Sequence, residues 1–462
     1  MRLVKILRVS ISLLIVLSAK SMANTWIDLD ENENYTARHE MSFVQAGDHF
    51  YLFGGRENPT TLDTYNYTTN TWTTSATAPL EFNHFQAIEY QGLIWVIGAF
   101  LNNNFPNETP ATHVYVYDPA NDVWYQSHEI PEERRRGSAG LVVYQDKFYI
   151  VGGNTIGHNG GFVNWFDVYD PQTGSWTALA DAPNPRDHFH ATVSNGKLYA
   201  AGGRLSGGEG GTFAPLIAQV DVFDFENNSW STLPSNSNLP TPRAGTATVT
   251  FQGNIIVMGG ESNDQREAFN TVESLDPTTN SWTEIDSLNH ARHGTQAIVS
   301  GNGIFITGGS PRRGGGRQHN MEAFNSPTPV GTANIVGELG ISGNEVIINA
   351  TTEISINHVS GNQGVLITNL KIVGNDASSF EIINNLTLPA LVPVNGSNAI
   401  KVQPLTNTNG KNASIIVTYS NNQQLSIPIK FEQNNSDSDL DLLLMIPAII
   451  QAAVNNKKLK SR

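Results

Sequence analysis

The chain has 462 residues, 39% of them hydrophobic and only 15% charged, a formal net charge of −15 and no cysteine. That length accommodates two domains with a full core each. The missing cysteines exclude disulfides, thiolate metal ligation and a cysteine nucleophile, and the acidity excludes general nucleic-acid binding.

Residues 1–23 read as a secretory signal. Arg2, Lys5 and Arg8 precede an apolar run, Val9–Leu17, and Ser21-Met22-Ala23 offers a small-residue cleavage site. Cleavage there raises the acidity to −19, because Arg2, Lys5, Arg8 and Lys20 leave with the leader. An exported protein without disulfides points to a bacterial periplasm, cell surface or secreted location.

From Asn24 onward a unit of roughly fifty residues repeats. Trp72, Trp124, Trp176, Trp230 and Trp282 each stand two residues after Asn70, Asp122, Gly174, Asn228 or Asn280. Those residue types accept the positive φ of a hairpin turn. Upstream of each tryptophan an apolar strand ends in a small pair: Gly54-Gly55, Gly98-Ala99, Gly152-Gly153, Gly202-Gly203 and Gly259-Gly260, with a sixth at Gly308-Gly309. Short strands at this period predict a β-propeller. The sixth pair has no tryptophan after it, but Asn24-Thr25-Trp26 repeats Asn70-Thr71-Trp72. An N-terminal strand therefore completes the sixth unit, with Met321–Phe324 as its third strand, and six blades over residues 24–325 are expected. The motifs Tyr51-Leu-Phe-Gly-Gly55, Tyr149-Ile-Val-Gly-Gly153 and Tyr199-Ala-Ala-Gly-Gly203, with Asp-Pro turns at 118, 170 and 276, resemble the kelch family.

Residues 326–331 form a Pro-rich linker, and 332–433 lose tryptophan and turn to short alternating strands, among them Val346–Ile348, Ile415–Tyr419 and Leu425–Phe431. This pattern predicts an immunoglobulin-like β-sandwich. Leu370-Lys-Ile-Val-Gly-Asn-Asp-Ala-Ser-Ser-Phe380 and Leu391-Val-Pro-Val-Asn-Gly396 resemble the ASPM/SPD-2/Hydin-like domains of bacterial surface proteins, which implies a spacer or adhesion role. Residues 434–462 run acidic, apolar, then basic. The apolar part is short for a membrane span, so any membrane contact is expected through this tail alone.

Sixteen residues before the first glycine of five of the pairs stands an arginine: Arg38, Arg136, Arg186, Arg243 and Arg292; the second repeat has Phe82 instead. The position precedes the innermost strand and faces the mouth of a propeller channel. Two readings follow. The arginines line a cationic funnel, or they brace the ring by pairing with an acid such as Asp187 or Glu40. The kelch resemblance implies that arginines at this place contact acidic peptide side chains. His39, His84, His188 and His293 follow within two residues, and His188-Phe-His190 aims two imidazoles to one side of a strand. Pro311–Arg317 and Gly207–Thr212 fall between second and third strands and add Arg312, Arg313 and Arg317 to the same rim.

The expected function is binding of an anionic peptide, protein or glycan through Arg38, Arg136, Arg186, Arg243, Arg292 and His188, with no catalytic group, metal or cofactor assigned. The alternatives are a periplasmic carbohydrate enzyme of the sialic-acid mutarotase type, with Glu209 or His188 as proton carrier, and a purely structural surface protein. The copper galactose oxidases are excluded, because their crosslinked tyrosine needs a cysteine.

Overall fold

The computed structural model describes residues 24–29, 34–325, 328–383, 386–405 and 410–432. Residues 1–23, expected to be a signal, and the tail after 432 lie outside the described residues. The described chain is built of strands, with 3-10 turns as its only helical elements.

Residues 24–325 form six four-stranded antiparallel sheets. Sheet one holds Met41–Ala46, His49–Gly54, Leu62–Asn66 and Thr71–Thr74. Sheets two to five follow in chain order over 88–129, 140–178, 191–232 and 247–284, each with its strands in sequence order. Sheet six takes Ala297–Ser300, Gly303–Ile306 and Glu322–Phe324 from the end of the propeller and Trp26–Asp28 from its beginning. Trp26 pairs with Phe324 and Asp28 with Glu322, so the two ends of this region share one sheet.

The first strands of the six sheets neighbour one another in a closed circle. One backbone residue per sheet closes the circle with hydrogen bonds. Glu40 N–H donates to Gly294 O (2.7 Å), His84 to Glu40 O (3.0 Å), Ser138 to His84 O (2.8 Å), His188 to Ser138 O (3.1 Å), Gly245 to His188 O (2.7 Å) and Gly294 to Gly245 O (2.9 Å). All six residues have φ between 50° and 65°, the left-handed region that non-glycine residues visit rarely. The ring over-determines that conformation, which is how such strain persists.

The repeated residues have local jobs. The turn residues Asn70, Asp122, Gly174, Asn228 and Asn280 all have positive φ. The indoles of Trp26, Trp124, Trp230 and Trp282 each donate to a carbonyl beyond the fourth strand of the preceding sheet: Asp286 O, Ala76 O, Ala180 O and Ser237 O. The glycine pairs let the next sheet approach. A Cβ on Gly152 would lie 2.5 Å from Arg186 O, the carbonyl that accepts from Gly153 N–H at 2.8 Å.

Residues 338–431 form two facing sheets. One holds Glu338–Gly340, Thr352–Ser360, Ser397–Pro404 and Phe380–Ile382; the other holds Val346–Ile348, Gln423–Phe431, Asn412–Tyr419, Val365–Val373 and Ala390–Val392. Between them lie Ile354, Ile356, Ile400, Val402, Ile367, Ile415, Val417, Ile427 and Ile429. In Asn412–Tyr419 every second residue is buried, the period of a sheet with one face on a core. This sandwich docks on sheets two and three. Leu366 and Leu391 pack with Trp95, Phe148 and Tyr169. Gln363 Nε2 donates to Asp118 Oδ1 (2.6 Å), and His128 Nε2 donates to Thr387 O (2.9 Å). The contacted turns, Gln91-Gly92 and Pro171-Gln172 among them, close first-to-second and third-to-fourth strand hairpins. The glycine-pair loops emerge at the other end of the same strands, so the sandwich leaves the opposite face of the ring uncovered among the described residues.

Candidate functional site

The five register arginines do not line the channel, and the expectation that they present their charge to a ligand is corrected by their placement. They are at most 3% exposed. Each reaches the carbonyl of the glycine sixteen residues on: Arg38 Nη1 to Gly54 O (3.3 Å), Arg136 Nε to Gly152 O (2.7 Å), Arg186 Nη1 to Gly202 O (2.9 Å), Arg243 Nε to Gly259 O (2.6 Å) and Arg292 Nη1 to Gly308 O (2.6 Å). The spacing visible in the sequence is thus a hydrogen bond. Each guanidinium also pairs with an acid of its own sheet's third strand: Arg38 with Asp63, Arg136 with Asp167 (2.8 Å), Arg186 with Asp221 (2.7 Å), Arg243 with Glu273 and Arg292 with Glu322 (2.5 Å). Neither Asp187 nor Glu40 is the partner. A guanidinium paired with an acid and sealed in the interior is out of reach of an external anion. Burial lowers the Arg136 pKa to about 10 against the pull of Asp167.

Two residues beyond the arginine position comes the ring residue: Glu40, His84, Ser138, His188, Gly245 or Gly294. Their side chains surround the axis and line a small cavity together with Met41, Phe85, Phe189, His190 and Thr295. A second cavity, of about 380 Å³, shares Glu40 with it and is lined by His39, Glu40, Arg56, Asn103, Phe105, His158, Phe213, Glu261 and Gly314. The glycines at 245 and 294 make the ring lopsided. A Cβ on Gly294 would stand 2.9 Å from Glu40 N and 3.0 Å from its carboxylate, so glycine there leaves the room that Glu40 fills, and Glu261 and His293 approach Glu40.

The residues directly after the glycine pairs form a second tier, among them Arg56, Arg204 and Glu261. Arg204 and Glu261 each bridge back to the residue just before the ring, Asp187 and Ala244. Arg56 Nη2 donates to Glu108 Oε1 (2.5 Å), and Arg204 Nη1 to Glu261 Oε1 (2.5 Å). His158 Nδ1 lies 3.0 Å from Glu108 Oε1 and His188 Nδ1 2.5 Å from Asp187 Oδ1. His84 Nε2 is 3.3 Å and His293 Nδ1 3.7 Å from the Glu40 carboxylate. Burial holds His84 down to about 4, against the pull of Glu40, and pushes His188 well below the usual imidazole value.

His188 is therefore a site residue by geometry. His190 does not share its cluster, although burial lowers its pKa too, to about 4. Glu209 is exposed on the loop after sheet four's glycine pair, apart from these groups. Arg312 and Arg313 lie at the mouth. Arg313 Nη1 donates to Asn263 O, and its guanidinium covers the Phe213 ring at 5.4 Å, as Arg56 covers Phe105 at 5.8 Å. Sequence reasoning passed over Glu40, Arg56, Glu108, His158, Arg204 and Glu261 as site residues. Counting two past the arginine or one past the glycine pair reaches Glu40, Arg56, Arg204 and Glu261; Glu108 and His158 sit in loops without a register.

Comparison with known proteins places the ring. Residues 126–309 match the KLHDC2/KLHL20/DRC7 Kelch-repeats domain. The chain is 31% identical over 309 residues to Kelch-like protein terF of Aspergillus terreus, covering 63% of this chain and 65% of that one. It is 29% identical to Alpha-scruin of Limulus polyphemus over 43% of this chain and 21% of that one, and 24% identical to human Kelch-like protein 23 over 60% and 47%. The chain thus spans less than two thirds of each of these relatives. The solved structure of YjhT superposes with a TM-score of 0.54 at 16% identity, over 63% of this chain and 95% of that one; the likeness is one of fold.

Proposed function

We propose that this chain, which contains a kelch-repeat domain, is an exported binding protein whose six sheets are six propeller blades and whose axial funnel takes an anionic ligand, the acidic group of a peptide or glycan. The observation that carries this reading is the open cavity of about 380 Å³ on the uncovered face. Mostly polar groups converge there beneath two arginine-covered phenylalanines, Phe105 and Phe213. Concave sites with a few placed polar groups and aromatic walls are where small ligands bind. Two acids of the funnel are engaged by arginine, Glu108 by Arg56 and Glu261 by Arg204, while Glu40 lies between His84 and His293. The rim arginines Arg312, Arg313 and Arg317 are left to set the potential at the mouth. The C-terminal sandwich, read as immunoglobulin-like, docks away from this face and suits a spacer or adhesion module.

The test is an array of acidic peptides and anionic glycans probed with the mature full chain at low and at physiological salt. Salt-sensitive binding that Arg56→Ala and Arg313→Ala weaken is the expected result. Equal binding of neutral counterparts, or binding untouched by both substitutions, overturns the reading.

A second reading, a carbohydrate enzyme of the sialic-acid mutarotase type, is favoured by one feature. Glu40 sits at the cavity floor between His84 and His293, and carboxylate–imidazole pairs are the groups a proton transfer needs. Anomer exchange of N-acetylneuraminate followed by NMR decides it; a rate no faster than buffer removes it.

A further inference from the structure

Three imidazoles from three different sheets meet beside the propeller axis. His84 and His188 are ring residues of sheets two and four. His158 comes from the 3-10 turn Gly157–Asn159 in the loop of sheet three. Their ring centroids are 4.8 to 4.9 Å apart in all three pairs, at interplanar angles of 67° to 77°. One nitrogen of each lies within 4.8 Å of the other two, and all three residues are buried.

The hydrogen bonds fix the tautomers. His84 Nδ1 lies 2.6 Å from Asn83 Oδ1. The Asn83 amide is oriented by its own Nδ2, which donates to Glu81 O (3.1 Å) and Asn102 O (2.7 Å). His158 Nδ1 donates to Glu108 and His188 Nδ1 to Asp187. All three Nδ1 atoms therefore carry the proton, and each Nε2 keeps a lone pair. The Nε2 atoms of His84 and His188 are buried without a hydrogen-bond partner. His84 Nε2 faces Glu40 Oε2 at 3.3 Å, two electron-rich atoms with no hydrogen between them. A cation held between these atoms would be bound by both of them.

We infer that His84, His158 and His188 bind one divalent transition-metal ion of the zinc type, with the Glu40 carboxylate as the oxygen donor completing the set. Three imidazole nitrogens and one oxygen suit such an ion and do not suit calcium or magnesium, which take oxygen ligands. The outer groups are those a metal-bound histidine uses. Asp187 accepts from Ser206 N (2.9 Å) and Oγ (2.6 Å), and Glu108 is held by Arg56 (2.5 Å), so the carboxylates that orient the imidazoles are themselves fixed. This goes beyond the anion-binding reading, because the ion occupies the floor of the funnel and needs neither rim arginines nor a particular ligand.

The experiment uses the untagged mature chain, stripped with a chelator and dialysed. Calorimetric titration with Zn²⁺ is expected to show one site per chain, a raised Tm and, with Co²⁺, the visible absorption of a low-coordinate site. His158→Ala, in a loop outside the strands, is expected to abolish the site. Asp187→Asn, which keeps all three imidazoles, is expected to weaken it by about 10- to 100-fold. His290→Ala, on a half-buried histidine outside the cluster, is expected to bind as the parent does. Circular dichroism shows which variants fold. No Zn²⁺ binding by the folded parent, or binding unchanged in folded His158→Ala, overturns the inference. Failure of the anion array would leave it standing, and the reverse holds too.

Discussion

In sheet two, Phe82 and Tyr115 occupy the positions that the other five sheets fill with an arginine and a carboxylate. The match is set by register. The acid stands two residues before the third-strand residue that pairs with the tryptophan: Asp63 before Tyr65, Asp167 before Tyr169, Asp221 before Phe223, Glu273 before Leu275 and Glu322 before Phe324. In sheet two that place belongs to Tyr115, before Tyr117. Phe82 and Tyr115 meet edge to face with centroids 5.1 Å apart, and both are buried. Where the arginine goes, the acid goes with it, and an apolar pair takes over. A ligand-binding arginine need not vanish together with a buried carboxylate on another strand; a brace must, because either charge alone in the interior is costly.

The comparison can be broken from either side. The largest effect is expected from removing one charge. Arg243→Met leaves Glu273 buried with only the Thr241 hydroxyl and no countercharge, and Phe82→Arg places a cation against Tyr115. Each should destabilise the chain by about 3–5 kcal/mol, read as a fall in the denaturation midpoint. Adding Tyr115→Asp to Phe82→Arg should recover a substantial part of that loss; no recovery would mean that sheet two differs for another reason.

A smaller effect belongs to the seam with the sandwich. His128 Nδ1 accepts from Tyr169 Oη (2.6 Å) while Nε2 donates to Thr387 O, and burial lowers its pKa. Below an unfolded value of about 6.5 the unfolded chain binds the proton and the folded chain resists it, so the stability His128 contributes falls as pH drops below that value. Tm at pH 7.5 and pH 5 should differ less in His128→Gln than in the parent; an equal difference would remove His128 from the account. The smallest stability effect is expected from Phe105→Ala in the funnel. Phe105 is 61% exposed, so the change should stay within about 0.5 kcal/mol while weakening ligand capture, the opposite of a brace substitution.

The repeat was legible because each of its marks is local: a turn residue two before the tryptophan, a glycine pair where the next sheet's backbone crowds in. The sixteen-residue arginine spacing was legible for the same reason. Its meaning was not. The partner acids lie at unequal distances, Asp63 25 residues and Asp221 35 residues after their arginines, because the loops between second and third strands vary in length. Half of the funnel shares that opacity. Glu40, His84 and His188 hold one register position, whereas Glu108 and His158 reach the axis from loops whose course only the folded chain reveals.

The central claim is that the register arginines hold sheets together and leave binding to the funnel. The most direct test is a double-mutant cycle on sheet five with Arg243→Phe, Glu273→Tyr and both together, which installs the sheet-two pair. The account predicts that each single change is severe, that the double variant regains at least half of the summed loss, and that ligand binding survives in it. Additive losses, or a stable double variant that no longer binds, would contradict it.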